Sequence, residues 1–73
     1  MSKLSILSGK EVCRILEKQG FVFIRQRGSH MVFQKKTDNG TITVIVPNHS
    51  EIRIGTLLSI IRQSKLSRDL FEA

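Results

Sequence analysis

The chain has 73 residues, and its twelve Lys and Arg against six Asp and Glu give a formal net charge of +6 at pH 7. This length predicts a single domain over residues 1–73. One cysteine excludes an internal disulfide, and one cysteine with two histidines is too few for a four-ligand zinc site, so no metal or cofactor is expected. The chain has no apolar run of about 18 residues and no signal-peptide pattern, which predicts a cytoplasmic protein without membrane contact. The positive charge indicates a polyanionic partner without identifying it.

The first predicted element is a helix over residues 9–19. Ser8 is followed three positions later by Glu11, the pattern of a capping box at a helix start. Apolar residues then recur at the spacing of one helix face, at Val12, Ile15 and Leu16. Gly20 is a natural residue just beyond the end of the helix.

The middle of the chain is rich in β-branched and aromatic residues and predicts three strands, over residues 21–26, 30–35 and 41–46. Asn39-Gly40 is a strong signal for a hairpin turn, and Pro47 ends the third strand. A second helix is predicted over residues 54–63, followed by a short terminal turn that brings Leu70 and Phe71 onto the core. The prediction is an α+β fold of order α-β-β-β-α, with a three-stranded antiparallel sheet and both helices on one face.

Alternation along the strands predicts which side chains face the helices. We expect a core from the first strand (Phe21 and Phe23, with Arg25 on the same side), the second (Met31 and Phe33) and the third (Ile42, Val44 and Val46). The opposite face then carries His30 and four apolar residues, Val22, Ile24, Val32 and Ile45. Such an exposed apolar patch marks a protein interface, or it reflects β propensity or a register error.

The candidate reactive groups are the two histidines, because no cluster of carboxylates suits a metal-dependent nuclease. His30 directly follows a turn, with Arg25 and Arg27 just before it. Neighbouring cations favour a neutral imidazole base and attract a phosphate, which suits ribonucleolytic cleavage; the alternative is an ordinary surface histidine. His49 is either a turn residue bonded to backbone or a secondary acid or substrate contact. The remaining basic residues, Lys35 among them, form a phosphate track or are scattered solubilising charge.

Several motifs together resemble one family. They are Gly20-Phe21, the run Arg-Gln-Arg-Gly-Ser-His at 25–30, Val46-Pro47 with His49, Gly55-Thr56-Leu57, and Ile-Ile-Arg-Gln at 60–63. From about residue 8 to residue 71 the chain resembles the HicA-type mRNA interferase toxins, also called YcfA-like. The resemblance implies a fold like that of double-stranded-RNA-binding domains and a toxin of a type II toxin–antitoxin pair that cleaves mRNA and is neutralised by a HicB-type antitoxin. It departs from the family at Met31, often a second His, and at Ile54, often Pro.

The resemblance implies that His30 is the catalytic histidine. We therefore expect a metal-independent endoribonuclease with His30 as general base, and RNA or phosphate contacts from Arg25, Arg27, Gly28, Ser29 and Lys35. A non-catalytic RNA-binding module of the same fold is the alternative. The outer apolar residues Val22, Ile24, Val32 and Ile45 are the expected antitoxin interface.

Overall fold

The computed structural model describes residues 3–72. The elements are helix α1 (Gly9–Lys18), strands β1 (Val22–Arg27), β2 (His30–Thr37) and β3 (Gly40–Pro47), helix α2 (Ile54–Ser64) and a final 3₁₀ turn (Arg68–Phe71). The strands form one antiparallel sheet in the order β1-β2-β3. This confirms the predicted α-β-β-β-α arrangement. Strand β1 is shifted by one residue from its predicted position, β2 ends two residues later, and β3 extends one residue further at each end.

Helix α1 begins at the predicted capping box. The Glu11 amide donates to Ser8 Oγ at 3.1 Å, and the Ser8 amide donates to Glu11 Oε1 at 2.9 Å. These bonds to Ser8, the backbone one first, hold the pKa of Glu11 below its ordinary value. The helix therefore starts with two of its orphan backbone donors satisfied by local side chains.

Both hairpins have two-residue turns, but the second uses its glycine differently from the prediction. Gly28 has φ 56° and Ser29 has a negative φ, the pattern of a type II′ turn, which requires glycine at its first central position. In the second hairpin Thr37 pairs with Gly40, so Asp38 and Asn39 form the turn. The left-handed conformation falls on Gly40, with φ 135°, at the start of β3.

A bulge in β1 overturns the predicted side for Arg25. Phe23 pairs with Phe33 and Arg25 pairs with Val32, which leaves Ile24 as an extra residue between them. An extra residue reverses the alternation for everything after it. Arg25 therefore lies on the face of Val32, opposite to the predicted core side, and Arg27 lies beside His30 on the same face.

The core forms between the two helices and one face of the sheet. The buried side chains from the helices and sheet are Val12, Leu16, Phe21, Met31, Phe33, Val44, Val46, Leu57 and Ile60, and they are joined by Leu7, Ile52 and Phe71. Ile42 is half-buried against this cluster. Both apolar helix stripes thus cover the same sheet face, as predicted.

Three predicted exposures are wrong. Phe23 is 46% exposed because β1 is an edge strand, and it keeps only an edge-to-face contact with Phe33, with ring centroids 5.7 Å apart. Val32 is only 8% exposed because it lies on the central strand, with Arg25 and Ile45 directly beside it. Leu70 remains 38% exposed, whereas Phe71 is buried as predicted.

The segments that flank the α-β-β-β-α unit pair with each other. Leu4 forms an isolated antiparallel bridge with Glu72, and the Ser5 amide donates to the Phe71 carbonyl at 2.9 Å. The Ile52 amide, in the loop before α2, also donates to the Leu7 carbonyl at 2.7 Å.

Between residues 3 and 72, no helix has the length and apolar character needed to cross a bilayer.

Candidate active site

His30 lies at the start of the central strand, directly after the Gly28-Ser29 turn. Its neighbours across the sheet are Arg27 on β1 and Pro47 on β3. The side chain is exposed on the face that the helices leave open. The backbone of His30 is therefore held in place by the short turn before it and by a paired strand on each side.

The loop after β3 brings His49 to the same end of the sheet. The Asn48 amide donates to the Ser29 carbonyl at 2.6 Å, which ties this loop to the turn before His30. The His49 amide donates to the Pro47 carbonyl at 2.9 Å, and the His49 carbonyl accepts from the Gly9 amide at 2.8 Å. The backbone of His49 is therefore fixed between the sheet and the first turn of α1.

Gly9 is what allows this close approach. A Cβ atom built on Gly9 would collide with the Pro47 carbonyl oxygen and would lie 3.1 Å from Asn48 Cα and 3.2 Å from the His49 nitrogen. Those atoms belong to the backbone and cannot rotate away as a flexible side chain could. The glycine at the first position of α1 thus sets the distance between the helix and the His49 loop.

The two histidines line one cleft of about 340 Å³. Its walls are formed by the open sheet face and the loop that leads into α2, and the lining residues are His30, Ile45, Pro47, His49, Glu51, Ile52, Arg53 and Thr56. His30 and His49 were predicted as separate candidate residues, and in the structure both line the same cleft. Glu51, Arg53 and Thr56 also line the cleft, but they were not predicted as site residues. The feature that could have identified them is their position in the chain close to Ile52, whose buried side chain anchors this loop.

Arg53 lines the cleft, and two more arginines lie next to His30 on the neighbouring strand, outside the cleft lining. Arg27 is paired directly with His30, and directly opposed residues on one face have Cβ atoms about 4.5–5.5 Å apart. Arg25 follows two positions away on the same face, and Arg53 lines the other wall. Glu51 is the one carboxylate among the described lining residues. Such an arrangement can hold an anionic phosphodiester between two imidazoles.

Lys35 does not join this cluster. It lies five residues along β2 from His30, about 16 Å at the rise of an extended strand. Its Nζ lies 5.8 Å from the ring centroid of Phe21, and its aliphatic carbons pass beside Gly20. The lysine therefore makes a cation–π contact at the far end of the sheet.

Gly28 and Ser29, the two turn residues predicted to contact RNA, differ in how accessible their backbone is to a ligand. Gly28 has no atom of another segment within 4 Å of the place a Cβ would take, so its backbone is open to a ligand. The Ser29 carbonyl is already used by the Asn48 amide. Gln26 donates through Nε2 to the Gly28 carbonyl at 2.8 Å, which braces the turn from β1.

Of the four apolar side chains predicted to form the antitoxin interface, three are exposed and one is buried. Val22, Ile24 and Ile45 are 61%, 44% and 48% exposed, whereas Val32 is buried between its neighbours. Val22 and Ile24 line a second depression, of about 460 Å³, together with Gly20, Gln34, Lys35 and Lys36. Ile45 borders the cleft of His30 instead. The exposed apolar residues therefore lie on both sides of Val32.

The described residues contain no cluster suited to a metal ion, and the cysteine lies away from the His30 cleft. Within residues 3–72, no three His, Cys, Asp or Glu side chains come together in a way that could hold a metal ion. Cys13 is half-buried, and its Sγ contacts Met31 Sδ at 3.7 Å. Burial raises the pKa of this thiol to about 11, so it is a packing residue.

The family model for the HicA toxin of bacterial toxin–antitoxin systems matches residues 9–66. The match begins at the first residue of α1, ends just beyond α2 and covers more than half of the chain. No curated protein sequence matches the chain significantly. The chain belongs to the HicA toxin family and is the toxin of a toxin–antitoxin system, which implies an antitoxin partner.

Proposed function

We propose that this toxin is an endoribonuclease, an mRNA interferase that cleaves mRNA and thereby inhibits translation and growth. The observation that carries the proposal is the cleft in which His30 and His49 lie together, with Arg27 beside His30 and Arg53 on the opposite wall. Two imidazoles supply acid–base groups near neutral pH, and the arginines supply fixed positive charge for a phosphodiester.

His30 is the general base of the proposed reaction. It removes the proton from the ribose 2′-hydroxyl, and the 2′-oxygen attacks the adjacent phosphorus. Arg27 and Arg25 stabilise the negative charge that grows on the non-bridging oxygens. The exposed backbone at Gly28 offers a further contact to the RNA chain.

The chemistry proposed for this site needs no metal ion. The nucleophile belongs to the RNA, the base is an imidazole, and the arginines take the electrostatic role that a divalent cation has in other nucleases. Lys35 has no part in this proposal because it lies at the other end of the sheet, against Phe21.

The test is cleavage of a single-stranded RNA by the purified toxin in EDTA, with wild type beside His30→Ala. We expect the variant to lose about 10²- to 10⁴-fold in rate, the range for one general base. His30 is exposed, so the variant should keep the thermal stability of the wild type, which is measured in parallel. Equal cleavage by both proteins would refute the assignment. Retained RNA binding without any cleavage by wild type would identify a non-catalytic RNA-binding module.

We further propose that a HicB-type antitoxin neutralises the toxin by covering the open sheet face. The exposed side chains Val22, Ile24 and Ile45 support this proposal, while Val32 is too buried to contribute much contact area. Ile24→Glu should weaken antitoxin binding measured by calorimetry. Ile6→Glu is the matched control, since Ile6 is 79% exposed in the segment before α1. Equal affinities of both variants for the antitoxin would contradict the proposed surface.

A further inference from the structure

We infer that His49 is the general acid of this site and protonates the 5′-oxygen that leaves the phosphorus. This inference rests on the proposed ribonuclease function and adds a second catalytic residue to it. His49 and His30 come from different segments, the loop after β3 and the start of β2, yet they line one cleft.

The backbone of His49 needs no help from its side chain. Its amide already donates to the Pro47 carbonyl, and its carbonyl already accepts from the Gly9 amide. A histidine that served only to complete a turn would use its imidazole for such a bond. Here the loop is closed by backbone bonds, and the imidazole is exposed in the cleft.

The geometry of the reaction explains why two imidazoles are needed. In the displacement at phosphorus the attacking 2′-oxygen and the leaving 5′-oxygen lie roughly in line, on opposite sides of the phosphorus. A single imidazole cannot contact both oxygens at once. A cleft of about 340 Å³ has room for a phosphodiester and part of a ribose, with His30 at one oxygen and His49 at the other.

The step balances in atoms and protons. His30 accepts the proton of the 2′-hydroxyl as the bond from the 2′-oxygen to phosphorus forms. The bond between phosphorus and the 5′-oxygen breaks, and this oxygen takes its electron pair and receives a proton from the imidazolium of His49. The products are a 2′,3′-cyclic phosphate and a 5′-hydroxyl, with one proton moved from His49 to the product and one from the substrate to His30.

The other charged groups around His49 have separate roles. Arg53 lines the cleft, and Arg27 lies on the neighbouring strand beside His30, so we assign both to the negative charge of the phosphate and not to proton transfer. Glu51 is the remaining titratable group of the cleft and is the one competitor for the acid role among the described lining residues. The experiment must therefore distinguish His49 from Glu51.

The experiment compares two RNA substrates that differ in one atom. One has the normal 5′-oxygen at the cleavage site, and the other has a bridging sulfur there. A thiolate leaves without protonation, so the sulfur substrate needs no general acid. We expect His49→Ala to cleave the oxygen substrate about 10²- to 10⁴-fold more slowly than wild type and the sulfur substrate within about 10-fold of wild type.

His30→Ala is the matched control, because loss of the base should slow both substrates alike. His49→Gln, which keeps a polar side chain in the loop, should show the same selective rescue by sulfur as His49→Ala. If His49→Ala lost the same factor in cleavage rate on both substrates, the acid role of His49 would be overturned. The same holds if the sulfur substrate restored the rate of Glu51→Gln and not that of His49→Ala. Either result would leave the base role of His30 intact. Failure of the wild type to cleave either substrate would overturn the proposed function itself.

Discussion

Gly9 lies where the first turn of α1 meets the loop that carries His49, and Gly9→Ala is the sharpest test of how this site is built. The added methyl group would collide with the Pro47 carbonyl oxygen and crowd Asn48 Cα and the His49 nitrogen at 3.1 and 3.2 Å. The helix and the loop would have to separate. Their separation would strain the 2.8 Å hydrogen bond from the Gly9 amide to the His49 carbonyl.

The magnitude follows from three opposing contributions. Forcing a methyl group into a packed contact costs about 1–3 kcal/mol, and weakening one backbone hydrogen bond costs about 1 kcal/mol. Alanine in a helix gains about 0.5–1 kcal/mol over glycine. We expect Gly9→Ala to lower the free energy of unfolding by about 1–3 kcal/mol, which for a domain of this size lowers Tm by at least about 5 °C.

The assay is urea and thermal denaturation of the purified toxin, with Gly55→Ala as the matched control. Gly55 also lies in the first turn of a helix, but a Cβ there meets no atom within 4 Å. We therefore expect Gly55→Ala to stabilise the protein by about 0.5–1 kcal/mol, opposite in sign to Gly9→Ala. Equal stabilisation by both substitutions would refute the close contact between α1 and the His49 loop.

Three further predictions test the helix start, the core and the phosphate contacts. Ser8→Ala removes the N-cap and should lower the free energy of unfolding by about 1 kcal/mol in urea denaturation. Burial raises the pKa of Cys13 to about 11. Iodoacetamide at pH 8 should therefore alkylate the folded protein at least about 100-fold more slowly than the urea-unfolded chain. Similar alkylation rates would contradict the burial of this thiol. In a His30→Ala background, Arg27→Ala should reduce the salt slope of RNA affinity by about 0.7, measured by fluorescence anisotropy, whereas Lys35→Ala should leave the slope unchanged.

Local signals in the sequence predicted most of the fold. The Ser8 and Glu11 capping box acts between neighbours in the chain, and glycine-containing turns bend the chain where they occur, so both could be identified without the structure. The bulge at Ile24 could not, because it depends on how β1 pairs with β2. That one extra residue moved Arg25 to the side of His30, and the edge position of β1 exposed Phe23.

The candidate site was predicted in its parts but not as an assembly. His30 stood out because it follows a turn and two arginines, all within six residues of sequence. Its proximity to His49 depends on bonds between distant segments, from Asn48 to Ser29 and from Gly9 to His49. Lys35 was selected for its charge alone, although it shares the alternation of Phe33, which faces the helices.

The central claim is that His30 activates the 2′-hydroxyl of the RNA, and the chemical nature of the cleaved ends tests it most directly. A short RNA is cleaved by the wild-type toxin in EDTA, and the ends of the 5′ fragment are identified by mass spectrometry, with His30→Ala as the control. We predict a 2′,3′-cyclic phosphate or a 3′-phosphate that is absent with His30→Ala. A 3′-hydroxyl end would mean attack by water and would contradict the account.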